Sequence, residues 1–341
     1  MPASEAPSFL LHSRRLLALA TSMRASSSAI LSFQQAAFPM LDCRAMRITW
    51  LCVLGAFSCS VQAQQWELGT RYWLSESTTT RSHNAQGLVP FLGNPTSILT
   101  YEDLAAHALE LHAQRRFDNG WFVKGNVGMG SIKHGTFDDE DFFAGQVKFS
   151  DSTSAVKGNT LRYATIDIGH ELWRGHRGFA GLFVGFHYWA ERLDAFGATF
   201  TVGGVPTIPD SELVVTTDTR WHALRVGLTS TAALSARTRL TLDAALVPYA
   251  KVRDEDSHWL RQDPGDLGTA PNIFIDGRGY GMEIDLEWRH ELREAWEITA
   301  GIRYWLLIAR DGTREAVGVG VPLRELESQR GGITLGVARR W

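Results

Sequence analysis

Two short acidic stretches carry the residue types needed to activate a water molecule. The first reads Gly135-Thr136-Phe137-Asp138-Asp139-Glu140-Asp141-Phe142, and the second Arg253-Asp254-Glu255-Asp256-Ser257-His258-Trp259. Histidine titrates near neutrality, which makes His258 the natural general base for a water nucleophile. Asp256 stands two residues before it on an extended segment, where a carboxylate can orient an imidazole and stabilise its protonated form. Asp139 and Asp141 also share a face if their segment is extended. Like charges held close raise one carboxyl pKa, leaving a proton to polarise a scissile carbonyl. The acidic surroundings would draw basic substrates toward the site. Acid runs in loops are ordinarily solvated tips, and that is the expectation for Asp138 and Glu255. His134 beside the first stretch leaves open a metal reading, with Asp139, Asp141 and His258 as further ligands. No helical His pair or comparable spacing supports it, and no metal is expected.

The elements that must carry these residues are strands. The chain of 341 residues is 44% hydrophobic, yet nowhere do eighteen apolar residues run together as a membrane helix requires. The apolar residues alternate instead. Tyr280, Met282, Ile284, Leu286 and Trp288 share one face, with Glu283, Asp285 and Glu287 between them. The same period of two recurs at 121–129, 166–172, 180–188, 240–246, 296–304 and 333–341, and more weakly near 66–76, 99–113 and 218–230, giving ten strands. A soluble sandwich would alternate too. Here, however, the apolar faces end in Trp66, Trp121, Tyr188, Trp288, Trp296 and Trp341, as aromatic girdles do at a membrane interface. The opposite faces mix Gly, Thr, Asp, Glu and Arg, as a polar lumen would. The fold expected is therefore all-β, a ten-stranded antiparallel transmembrane β-barrel with five long extracellular loops and short periplasmic turns. The long links fall at 77–98, 132–160, 191–216, 252–277 and 308–330, and the short ones at 117–120, 174–177, 230–237 and 289–295. The acidic stretches then sit in the second and fourth long loops, on roughly opposite walls of the mouth. His187, Glu283, Asp285 and Arg303 point into the lumen and are expected to form a salt-bridge network.

The N-terminus reads as an export signal. Arg44 and Arg47 precede an apolar stretch from Ile48 to Cys59, and Val61-Gln62-Ala63 is a small-residue cleavage site. Residues 1–45 are read as an upstream extension with Met46 the true start, 46–63 as the signal peptide and 64–341 as the barrel. A lipoprotein cleaved before Cys59 is the competing reading. Cys43, Cys52 and Cys59 all lie in the leader, so the exported part offers neither a disulfide nor a cysteine nucleophile. A net charge of −3 gives no reason to expect a nucleic-acid partner. No nucleotide-binding glycine loop and no Ser-His-Asp signature is present.

At the two acidic stretches the chain resembles the omptin family of outer-membrane proteases. Those barrels carry an Asp-x-Asp pair followed by an aromatic residue on one wall of an extracellular cleft and Asp-x-His on the other. Asp139-Glu140-Asp141-Phe142 matches the first, and Asp256-Ser257-His258-Trp259 the second. Asp254 stands where the family places an acid for a basic substrate side chain. Glu67-Leu68-Gly69-Thr70 is close to the family's first strand, and Glu76 is the candidate for a second pocket acid. The resemblance implies an endopeptidase cleaving peptides or proteins at Arg or Lys, acting as a monomer without a cofactor but needing lipopolysaccharide. Phe142 stands where the family usually has tryptophan, and much of the strand sequence diverges. A non-enzymatic barrel (an adhesin, a structural or lipid-binding protein, or a narrow pore) therefore stays open as the alternative.

Overall fold

The computed structural model describes residues 65–341 apart from residue 203. The signal-peptide and upstream readings fall outside the described residues. Ten strands follow in order: β1 (Gln65–His83), β2 (Ser97–Arg116), β3 (Trp121–Phe143), β4 (Val147–Gly175), β5 (Gly178–Val202), β6 (Ile208–Ala233), β7 (Thr238–His258), β8 (Ile273–Arg293), β9 (Trp296–Ala316) and β10 (Val319–Arg340). Each pairs antiparallel with the next, and β1 pairs with β10 from Glu67 opposite Arg340 to His83 opposite Leu323, closing the ring. Closure leaves no unpaired edge, which is the condition for a sheet in hydrocarbon.

Side-chain alternation decides between barrel and sandwich. The apolar residues of the dyad pattern face outward: Met129 is 67% exposed, Leu172 68% and Leu246 70%. A soluble core would bury them. Trp66, Trp121, Trp288, Trp296 and Trp341 are exposed at the end where β1 begins and β10 finishes. Toward the opposite end the outward positions switch to charge, with Arg162, Arg192, Lys251, Arg253 and Arg310 succeeding the aliphatic residues on their strands. An apolar belt between an aromatic girdle and a charged rim is a surface suited to a bilayer.

The strands run 19 to 29 residues, about twice what a tilted bilayer crossing needs. They therefore project well beyond the belt, and the expectation of five long loops is corrected. Residues 132–160 form not a loop but the continued β3–β4 ladder, which reaches Phe143 opposite Val147. It closes in a tight turn where Ala144 and Gly145 both take left-handed φ values of 51° and 68°. Pairing persists because the inward face stays apolar above the belt: Ile132, Phe137, Val156, Leu193, Ile275 and Leu323 are all buried there. Only the connections at 84–96 and 259–272 exceed ten residues among the described ones.

The bore is filled in layers. Nearest the end where β1 begins lies an ion-pair network, in which Arg303 meets Glu110 at 2.5 Å and Asp285 at 2.6 Å. His187 Nδ1 meets Glu283 at 2.7 Å, and Arg71 meets Glu287 at 2.6 Å. All four residues expected in such a network are in it. Removing one partner of a buried pair of this kind costs about 3–5 kcal/mol, because the other charge is left unpaired. Above the network, Trp305 packs edge-on against Trp73 at 4.6 Å, Tyr163 at 5.1 Å and Trp189 at 5.6 Å between ring centres. These rings are buried and plug the bore, the opposite of what an open pore requires.

Candidate active site

Above the aromatic layer, strand parity sorts the two acidic stretches. On β3 the residues that share Phe137's inward face are Asp139 and Asp141. Asp138 and Glu140 turn outward, where the Thr153 hydroxyl donates to Asp138 at 2.6 Å and Lys148 pairs with Glu140. On β7, Asp254, Asp256 and His258 turn inward and are buried, while Glu255 turns outward beside Arg220. Asp138 and Glu255, expected as solvated tips, lie on the outer wall, half-buried and paired with residues of the neighbouring strands. β3 and β7 stand four places apart around the ring, so their inward faces meet across the mouth. Asp139, Asp141, Asp256 and His258 line one cleft of about 130 Å³.

The strand ends hold these groups firmly. The His258 backbone N–H donates to Asn272 Oδ1 at 3.0 Å, and its carbonyl accepts from Asn272 Nδ2 at 3.3 Å. The Trp259 indole donates to Thr216 at 2.9 Å. His258 Nε2 is buried and has no hydrogen-bond partner, so it is uncommitted within the chain. Burial pushes the imidazole pKa down to about 4, against the pull of Asp256, with Arg261 and Arg314 adding to the depression. The ring is therefore neutral, as a base must be.

The aspartates on β3 behave in the opposite sense. Burial, then the charges of Asp141 and Asp256, push Asp139 up to about 7. Burial also raises Asp141, against a lowering hydrogen bond from Ser97. Asp139 therefore keeps a proton close to neutrality. The pH dependence follows with its sign. As pH rises through about 4 the imidazole loses its proton and becomes a base. As pH rises through about 7 the β3 pair loses the proton it would donate. The kcat/KM of any hydrolysis here is expected to be bell-shaped, highest between those two values, and a pH–rate series checks it.

Three sequence expectations meet a different arrangement. Asp256 does not hydrogen-bond to His258. Its oxygens take Arg81 Nη1 at 2.7 and 2.8 Å and the Thr217 hydroxyl at 2.5 Å. Burial opposes its ionisation, but Arg81 and then His258 hold its pKa low, so it acts on the imidazole as a nearby fixed charge. Asp254, expected to receive a substrate's basic side chain, receives Arg81 Nη1 at 2.7 Å and Thr219 at 2.6 Å. Glu76 is no pocket residue. Trp73, Ser75, Ser77, Thr79 and Arg81 are the buried inward residues of β1, and Glu76 is exposed on the outer wall beside Asp103. His134 is exposed there too and does not join Asp139 and Asp141. Arg81 and Arg314, both in the cleft, are the functional candidates that motif reading misses. The one signal for Arg81 is its parity with Trp73.

No protein-family model matches the chain, and a search of curated proteins returns no match. Solved structures do resemble it. The outer membrane protease OmpT from Escherichia coli superposes over 83% of this chain and 99% of its own with a TM-score of 0.68, at 11% identity. Ail, the attachment invasion locus protein of Yersinia pestis, aligns over 81% and 98% at 7% identity, with a TM-score of 0.30. The autotransporter translocator domain NalP from Neisseria meningitidis aligns over 83% and 90% at 10% identity, with a TM-score of 0.35. At these identities the likeness is one of fold: the chain is a ten-stranded barrel of the outer-membrane type.

Proposed function

We propose that this chain is an outer-membrane endopeptidase whose cleft faces the cell exterior. The observation that carries the reading is the convergence of Asp139, Asp141, Asp256 and His258, from two separate strands, on one cleft. A neutral imidazole with an uncommitted nitrogen faces a carboxyl pair of which Asp139 holds a proton close to neutrality. That is a base and an acid held apart in pKa, the arrangement general acid–base hydrolysis uses. In this reading a water bound between the walls gives a proton to His258 as it attacks the peptide carbonyl. The Asp139–Asp141 pair binds the carbonyl oxygen as charge develops on it, then passes its proton toward the leaving nitrogen. Asp256 stabilises the imidazolium from beyond hydrogen-bond range. No step calls for a cofactor or a metal. The chain would act as a monomer, since the two walls belong to one barrel.

The outward cations Arg162, Arg192, Arg220, Lys251 and Arg253 follow the top of the apolar belt across β4 to β7. Lipid phosphates would lie at that height, which supports a requirement for lipopolysaccharide. The substrates are peptides or proteins. Cleavage at Arg or Lys, the specificity that Asp254 suggests in the sequence, loses its simplest support, because Arg81 occupies that carboxylate. The test is to incubate the purified barrel with a mixed peptide library, with and without lipopolysaccharide, and to read the products by mass spectrometry. Cleavage products that require the lipid are expected. An intact library under every condition would leave the adhesin, structural or lipid-binding reading in its place.

A further inference from the structure

A substrate arginine reaching into an acidic pocket would set its guanidinium between carboxylates and hydroxyls, buried from water. The described residues already contain that arrangement. Arg81 of β1 crosses the mouth of the barrel and places Nη1 at 2.7 Å from Asp254 Oδ1 and 2.7 Å from Asp256 Oδ1. Its Nη2 donates to the Thr217 hydroxyl at 3.0 Å. Tyr101 lies under the guanidinium, 5.2 Å from ring centre to Cζ. All three charged residues are at most 2% exposed. Two carboxylates, a hydroxyl and an aromatic face make a guanidinium site that satisfies both Nη groups and leaves only Nε without an acceptor, and the chain fills it from within.

We infer that Arg81 is a built-in occupant of the pocket that would otherwise take a basic side chain. On the protease reading proposed above, this cleft therefore disfavours a basic side chain at the cleaved bond. A second cation placed beside Arg81 would meet like charge in a buried setting and find no free carboxylate at Asp254. Leu99, Ile273, Ile275 and Leu323, each buried, offer an uncharged side chain apolar contacts on a wall they share with Ser82, His83, Ser97, Arg261 and Arg314. Arg81 is thus the specificity-determining residue, acting by exclusion.

The experiment compares the wild type, Arg81→Ser, Arg81→Gln and the double variant Arg81→Ser with Asp254→Asn, each in lipopolysaccharide-containing detergent. One readout is cleavage of peptides that differ only in the residue before the bond. The other is calorimetric binding of benzamidine, a small aryl cation that mimics an arginine side chain and needs no catalysis. The wild type is expected to cut after leucine faster than after arginine and to bind no benzamidine. Arg81→Ser should raise the rate at arginine relative to leucine by about tenfold to a hundredfold, the range expected of a released buried charge partner. It should also bind benzamidine, and the Asp254→Asn double variant should lose both gains. If no peptide is cut by any variant yet Arg81→Ser binds benzamidine and the wild type does not, the filled pocket stands and the protease reading falls. Wild-type cleavage at arginine as fast as at leucine, or wild-type benzamidine binding abolished by Asp254→Asn, would overturn the inference. So would failure of folded Arg81→Ser and Arg81→Gln alike to bind the probe. The wild-type measurements decide the matter even if neither variant folds.

Discussion

Replacing His258 with alanine is expected to lower kcat/KM by about 10²–10⁴-fold, the usual contribution of a positioned general base. The barrel itself should survive. His258 sits at the last position of β7, and its backbone hydrogen bonds to Asn272 do not involve the ring. Its ring nitrogen Nε2 makes no hydrogen bond that the substitution would break. Retention of the compact, heat-modifiable form on a gel, beside loss of peptide cleavage, separates a lost base from a lost fold. Unchanged cleavage by a folded His258→Ala barrel would remove the imidazole from the chemistry.

The second large effect belongs to the opposite wall. Alanine at both Asp139 and Asp141 is expected to cost about 10²–10³-fold in kcat, comparable to losing a preorganised donor at a developing oxyanion. Single substitutions should differ in a telling way. Asparagine at 139 keeps a hydrogen-bond donor where burial and the neighbouring charges raise the carboxyl to about 7, so it mimics the protonated form. Its remaining activity should lose the alkaline limb of the pH profile, because the group that titrates there is gone. Alanine at 139 should lose activity at all pH values. A pH–rate series on the two variants distinguishes them, and an alkaline limb that persists in Asp139→Asn would assign that limb to another group.

Much of the barrel is legible in the amino-acid sequence, because the two-residue period holds through the lipid belt. Tyr280 through Trp288 state the lipid face outright. Carried upward unchanged, the parity of 121–129 and of 240–246 would send Asp139, Asp141, Asp256 and His258 outward. Register shifts between β2 and β3 at 132–136 and on β7 between Val247 and Ala250 reverse it and turn them inward. Loop lengths are overestimated from sequence because the outward residues lose their apolar character above the belt. The hydropathy pattern ends there while the ladder continues. Glu76, taken from the family resemblance, falls one residue off the inward face of β1: Ser77 is the inward neighbour. Arg81 is invisible to motif reading because its partners, Asp254 and Asp256, lie 173 and 175 positions away in sequence. Only the closed ring makes β1 and β7 face each other. The missing Asp256–His258 hydrogen bond has the same origin, since spacing along one strand cannot reveal a competitor arriving from across the bore.

A double-mutant cycle between His258 and Asp139, read as kcat/KM on one peptide with the folded barrel in lipopolysaccharide, tests most directly whether the two walls form a single site. Groups that act on the same water are strongly non-additive. The expected result is that His258→Ala and Asp139→Ala together cost little more than the worse of the two alone. Losses that multiply, or a His258 variant as active as its parent, would mean that the two strands do not share one reaction.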